Sequence, residues 1–204
     1  MTFRKILLAA GLSLAASAAS ASTVTLAGGG TTDDCDLANL TVSVACDGDF
    51  STANPGGNVA GGDLDGLFAL DGQILTGWSL LDQIGSVDSS GTQVSAGGLF
   101  EFTTTDRESG SWSLINPFAF AANKLYIFTL KGANDQAAYV MDGATLLGDW
   151  SNGDLLTKKF NIPQLSNVRL FEIETAVIPV PAAGFMLLLG LGGLAAVRRR
   201  KSAS

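Results

Sequence analysis

Two kinds of hydrophobic pattern divide the chain. Through its middle, apolar and polar residues alternate: residues 99–105 read Leu-Phe-Glu-Phe-Thr-Thr-Thr, residues 124–131 Lys-Leu-Tyr-Ile-Phe-Thr-Leu-Lys, and residues 167–174 Asn-Val-Arg-Leu-Phe-Glu-Ile-Glu. A period of two with aromatic and β-branched content predicts half-buried strands. Residues 23–26, 40–45, 78–84, 110–114, 136–141 and 155–160 are further strand candidates, separated by Gly, Asn, Asp and Ser. No helical period lasts three turns in this region. Strands at this spacing without intervening helices predict an all-β antiparallel sandwich, jelly-roll-like or immunoglobulin-like.

The second pattern, unbroken apolar runs, occupies the two ends. Arg4 and Lys5 precede an apolar run over residues 6–16, and Ala19-Ser20-Ala21 follows it. A basic start, a short apolar run and a small-x-small site make a secretory signal, so signal peptidase is expected to cut after Ala21. At the other end residues 182–197 carry no charge and run straight into Arg198, Arg199, Arg200 and Lys201. Sixteen helical residues reach about 24 Å at ~1.5 Å each, slightly short of a ~30 Å hydrocarbon core, and residues 177–180 extend them. The basic cluster predicts a stop that stays cytoplasmic while everything before it lies outside. Three segments result: a cleaved signal over 1–21, an extracytoplasmic β domain over 22–176, and a membrane segment over 177–204.

Charge follows the same division. The sequence has 12 Lys and Arg against 19 Asp and Glu, but residues 22–178 hold all nineteen acids and only six of the bases, a formal charge of −13. A body that acidic repels phosphate backbones, which argues against nucleic acid as a partner. The absence of histidine excludes Ser-His-Asp and Cys-His catalysis and imidazole metal sites. Cys35 and Cys46, the only cysteines, are expected to pair in an oxidising compartment.

The order Ile178-Pro179-Val180-Pro181-Ala182, then a glycine-interrupted apolar run, then the basic cluster resembles the PEP-CTERM class of protein-sorting signals, in its VPLPA variant. Two positions differ from that variant by apolar swaps. The resemblance implies an exosortase-type membrane protease as partner and passage of the body to the cell surface or the extracellular matrix. Pro179 and Pro181 lack amide donors and fix φ, which favours the extended form a protease binds. Along the body, Asp63-Leu64-Asp65-Gly66-Leu67-Phe68, Trp78-Ser79-Leu80-Leu81-Asp82, Gly110-Ser111-Trp112, Leu130-Lys131-Gly132-Ala133, Ala138-Tyr139, Gly148-Asp149-Trp150 and Leu165-Ser166-Asn167-Val168-Arg169-Leu170-Phe171 fall in an order similar to an ectodomain of secreted PEP-CTERM proteins. Asn167 stands where that ectodomain commonly has His, and Ala133 where it has a second Gly.

Candidate chemistry is sparse. Trp78, Trp112 and Trp150 lie in similar settings, the last two as Gly-x-Trp-Ser that could mark repeated hairpin corners. Exposed indoles would stack on sugars of an extracellular polysaccharide, whereas buried ones would fill the core between sheets. Asp47, Asp49, Asp63 and Asp65 are the best oxygen ligands for a weak calcium site, yet they lack the EF-hand register. No other cofactor is expected. Glu101 with Glu108, or Asp142 with Asp149, would be the pairs to consider for glycoside hydrolysis, but alternation turns Glu101 away from Phe100 and Phe102 toward solvent. The expectation is a non-enzymatic surface or matrix protein, with a carbohydrate-binding module and a permanently anchored envelope protein as alternatives.

Overall fold

The computed structural model describes residues 22–48, 50, 57–116, 123–133, 135–153, 155 and 161–175. The expected signal cleavage at Ala19 and Ala21, the motif Ile178 to Ala182, the apolar run with Arg198 to Lys201, and Asp49 lie outside them. Within the described residues the chain is all-β, with two short 3-10 turns and no α-helix. No helix among them is long and apolar enough to cross a membrane.

Among the described residues, thirteen strands form three sheets. The largest has six strands in the order β2 (Thr32–Asp33), β3 (Ser43–Gly48), β11 (Asp135–Met141), β10 (Lys124–Gly132), β13 (Leu165–Glu174), β6 (Ser79–Ile84). A four-stranded sheet runs β12 (Leu147–Ser151), β9 (Ser109–Leu114), β8 (Phe100–Thr104), β7 (Gly91–Val94). The third joins β1 (Val24–Leu26), β4 (Phe68–Leu70) and β5 (Gln73–Ile74). Every pairing is antiparallel except β2 with β3.

The six-stranded sheet is covered on both faces, which alters the reading of its strands as half-buried. On β10, Tyr126, Phe128 and Leu130 join one core cluster with Phe100, Phe102, Trp112 and Trp150 of the four-stranded sheet. Ile127, between them, joins the other, with Val24, Leu26 and Phe68 of the three-stranded sheet. Residues Tyr126 to Gly132 are consequently buried without a break, and the alternation sorts side chains between two cores instead of between core and water. Edge-on aromatic packing fixes the first core: the Phe128 ring lies 5.0 Å from Phe100, 5.6 Å from Phe102 and 5.4 Å from Trp112.

Most strongly alternating segments are strands within a residue or two of their predicted limits. The exceptions have local causes. Residues 40–45 were expected as a strand, but it starts only at Ser43, because Leu40 bridges to Trp150 and Thr41 and Val42 form a turn. Leu155 is buried outside any strand, and residues 156–160 lie outside the described part. Cys35 and Cys46 form the expected disulfide, which clamps the short β2 beside β3.

Candidate functional site

The two Gly-x-Trp-Ser segments are not hairpin corners. They lie in neighbouring antiparallel strands, with Trp112 opposite Gly148 and Trp150 opposite Gly110. Each indole thus faces the other segment's glycine. A Cβ on Gly110 would stand 1.8 Å from the Thr103 carbonyl oxygen and 2.9 Å from Trp150 Nε1; one on Gly148 would stand 3.0 Å from Trp112 Nε1. The absent side chains make room for the rings, and Trp150 Nε1 donates to the Thr103 carbonyl at 3.3 Å. Trp112 and Trp150 are 2 % exposed and Trp78 is 5 %. None offers a face to a sugar, so of the two readings left open by the sequence the structure has the core one for all three indoles.

With its large residues turned inward, the four-stranded sheet presents short polar ones outward. Cross-strand partners share a face, so the register gives two outward rows, Val94-Glu101-Ser113-Leu147 and Thr92-Thr103-Ser111-Asp149. Ser113 Oγ donates to Glu101 Oε1 at 2.8 Å, and the Thr92 and Thr103 hydroxyls lie 2.7 Å apart. Glu101, Thr103, Ser111, Ser113, Leu147 and Asp149 line a hollow of about 270 Å³ whose base includes Trp112 and Gly148. Glu101 therefore shares a surface with Asp149, not with Glu108. Asp142 is engaged elsewhere, accepting from the amides of Ala144 and Thr145 and from the Thr145 hydroxyl. Burial alone would raise the Asp142 pKa, but these donors more than offset it and leave the carboxyl below its ordinary value.

The proposed calcium ligands are dispersed among other tasks. Asp63 Oδ2 accepts from the Ala60 amide at 2.8 Å and Asp65 Oδ1 from the Gly77 amide at 2.6 Å. Asp47 stands on β3 directly across from Asp33. Desolvation, then the charges of Asp33 and Asp34, push its pKa up to about 6. No group of three or more acidic or Cys side chains placed to hold a metal occurs among the described residues.

A second concavity, of about 380 Å³, lies where the body begins and ends. Ser22, Thr23, Val24, Val44, Leu70, Lys124, Leu125, Met141, Asp142 and Thr175 contribute to its walls. Lys124 Nζ meets Glu172 Oε1 at 2.7 Å, and Thr175 is tied to the carbonyl of Asn123 through both its amide and its hydroxyl.

Sequence reasoning missed the most organised polar site, the buried carboxylate of Asp82. It accepts from Ser95 Oγ at 2.5 Å and from the amides of Gly97, Leu99 and Gln83 at 2.7, 3.1 and 2.8 Å. Burial raises its pKa, but the Ser95 hydroxyl and the three amides together bring it below the ordinary carboxylate value. It is an anchor for the loop between β7 and β8. The clue in the sequence was an acid at an inward position beside Leu81.

Fold and site thus define an all-β module with a polar outer sheet face and both body termini at one cleft. No protein-family model, curated protein or solved structure matches the chain.

Proposed function

We propose that this chain is an exported, non-enzymatic display module of the cell surface or extracellular matrix of a Gram-negative-type cell. Signal peptidase releases its N-terminus, the tail holds it in the inner membrane, and an exosortase-type protease then processes it. The observation that carries this reading is the ordered tail of Ile178-Pro179-Val180-Pro181-Ala182, sixteen uncharged residues, and Arg198-Arg199-Arg200-Lys201. The placement of Ser22 and Thr175 at one cleft supports it, since a body tethered at that end leaves its other surfaces free. We read the stacked sheets as a β-sandwich elaborated by the three-stranded sheet. Replacing Pro179 and Pro181 with alanine is expected to leave full-length protein in the membrane fraction while the unaltered chain is released. Equal release of both would reject the processing step and favour a permanently anchored envelope protein.

The outward hydroxyl rows favour a second role, contact with extracellular polysaccharide. Ser and Thr hydroxyls with Glu101 and Asp149 offer the alternating donors and acceptors that sugar hydroxyls need, and the net charge of the body favours neutral glycans. Retention on a neutral polysaccharide should fall with Glu101→Ala and Asp149→Ala together. Retention unchanged by both removes this role.

A further inference from the structure

Near the end of the body where the chain leaves, three large aliphatic side chains are exposed. Met141 and Asp142 line the terminal cleft with Thr175. Asp142 then caps a tight turn through the Ala144 and Thr145 amides, which brings Leu146 and Leu147 beside β9: the Leu114 amide donates to Leu146 at 2.7 Å and Leu147 pairs with Ser113. The next outward position on that strand line is Ile115, whose amide donates to Leu99 at 2.8 Å. Leu147, Ile115 and Leu146 are 66 %, 47 % and 43 % exposed. Val44, 37 % exposed, lines the adjoining cleft.

We infer that this end is a bilayer-contacting surface, with Ile115, Leu146 and Leu147 seated in the lipid interface while the precursor is tethered. The inference rests on the proposed membrane role of the tail. The apolar run after Pro181 starts at Ala182, seven peptide steps beyond Thr175. Seven steps reach at most about 25 Å, so Thr175 stays within that distance of the point where the tail enters the membrane. An aqueous exposure of three large aliphatic side chains at that position is relieved by the interface, where apolar groups sit ~5–10 Å into the headgroup boundary. The occupant is a lipid surface, and a zwitterionic one, because the −13 body opposes anionic headgroups.

The full-length chain is reconstituted in phosphatidylcholine vesicles, with an environment-sensitive fluorophore on Leu147→Cys in one sample and Thr105→Cys in another. Thr105 is exposed and follows the far end of β8, about 20 Å along the strand from Leu99. Both sites are at the surface, so neither label disturbs the core. Nitroxide-bearing lipid should quench the Leu147 label at least about threefold more than the Thr105 label. Adding Ile115→Asp and Leu146→Asp should remove most of that difference while the chain still floats with the vesicles. Floating vesicles with equal quenching at the two labels overturn this inference alone. A chain that does not float overturns the anchoring tail and the inference with it. Leu147 shielding that depends on protein concentration and not on nitroxide lipid assigns the strip to a second copy of the chain and likewise overturns the lipid assignment.

Discussion

At the residue scale, the two perturbed carboxylates of the six-stranded sheet pull stability in opposite directions with pH. Asp82 is held below its ordinary pKa, so its stabilisation is complete above about 4 and is lost as pH falls further. Asp47 is held up near 6, so its contribution is complete below about 4 and is lost as pH rises through 6. Urea unfolding should therefore find their combined contribution greatest near pH 4 and falling toward pH 6 as Asp47 ionises. Asp47→Asn is expected to gain on the order of 1 kcal/mol at pH 7, the raised pKa being discounted for the carboxyl's partial exposure, and nothing at pH 4. A neutral effect at both pH values would show that neither burial nor the charges of Asp33 and Asp34 raise its pKa. Asp82→Ala removes four hydrogen bonds to a buried charge and should cost about 3 kcal/mol at pH 7, seen as a lower denaturation midpoint with an unchanged slope. Neither shift was legible in the sequence, because each depends on residues brought together by strand register or by a loop turning back: Asp33 beside Asp47, and Ser95 to Leu99 over Asp82.

At the element scale, alternation located the long strands because each has to sort its side chains between two environments. It could not tell that both environments were cores. That distinction depends on what covers the second face of β10 and β13, and the covering strands β1, β4 and β5 have only two or three residues each. The pairing of the two Gly-x-Trp-Ser segments was visible as a repeat, but its meaning required the register. Gly110→Ala drives a methyl into the Thr103 carbonyl and should cost several kcal/mol, on the order of 3, or prevent folding. Gly148→Ala meets the Trp112 ring edge, the Thr41 side chain and the Thr41 carbonyl oxygen, none closer than 3.0 Å, and should cost about 1 kcal/mol. Equal costs for the two, measured by thermal unfolding, would argue against the packing described. The disulfide was legible, since two cysteines in a segment expected to be exported have few alternatives; Cys35→Ser with Cys46→Ser is expected to lower stability by about 2–3 kcal/mol.

At the scale of the whole molecule, the division of charge and hydrophobicity into three segments carries the functional reading. The acidic body holds two buried cores and presents hydroxyls and acids on its four-stranded outer face. The tail carries the proposed sorting motif, Ile178 to Ala182, and the basic cluster Arg198 to Lys201 proposed as its stop. An indole platform was one of the two readings the sequence left open, and packing removed it: Trp112 and Trp150 stand opposite glycines, beside Phe128 and Phe102 respectively, and Trp78 fills the second core. What remained is a body whose two ends share a cleft and whose destination we propose to be set by the segments outside it. The intact mass of the protein released from cells tests that claim most directly. The account predicts a species that begins at Ser22 and lacks the chain beyond about Pro181, with the Cys35–Cys46 disulfide intact. A membrane-bound species that still ends at Ser204 would contradict it.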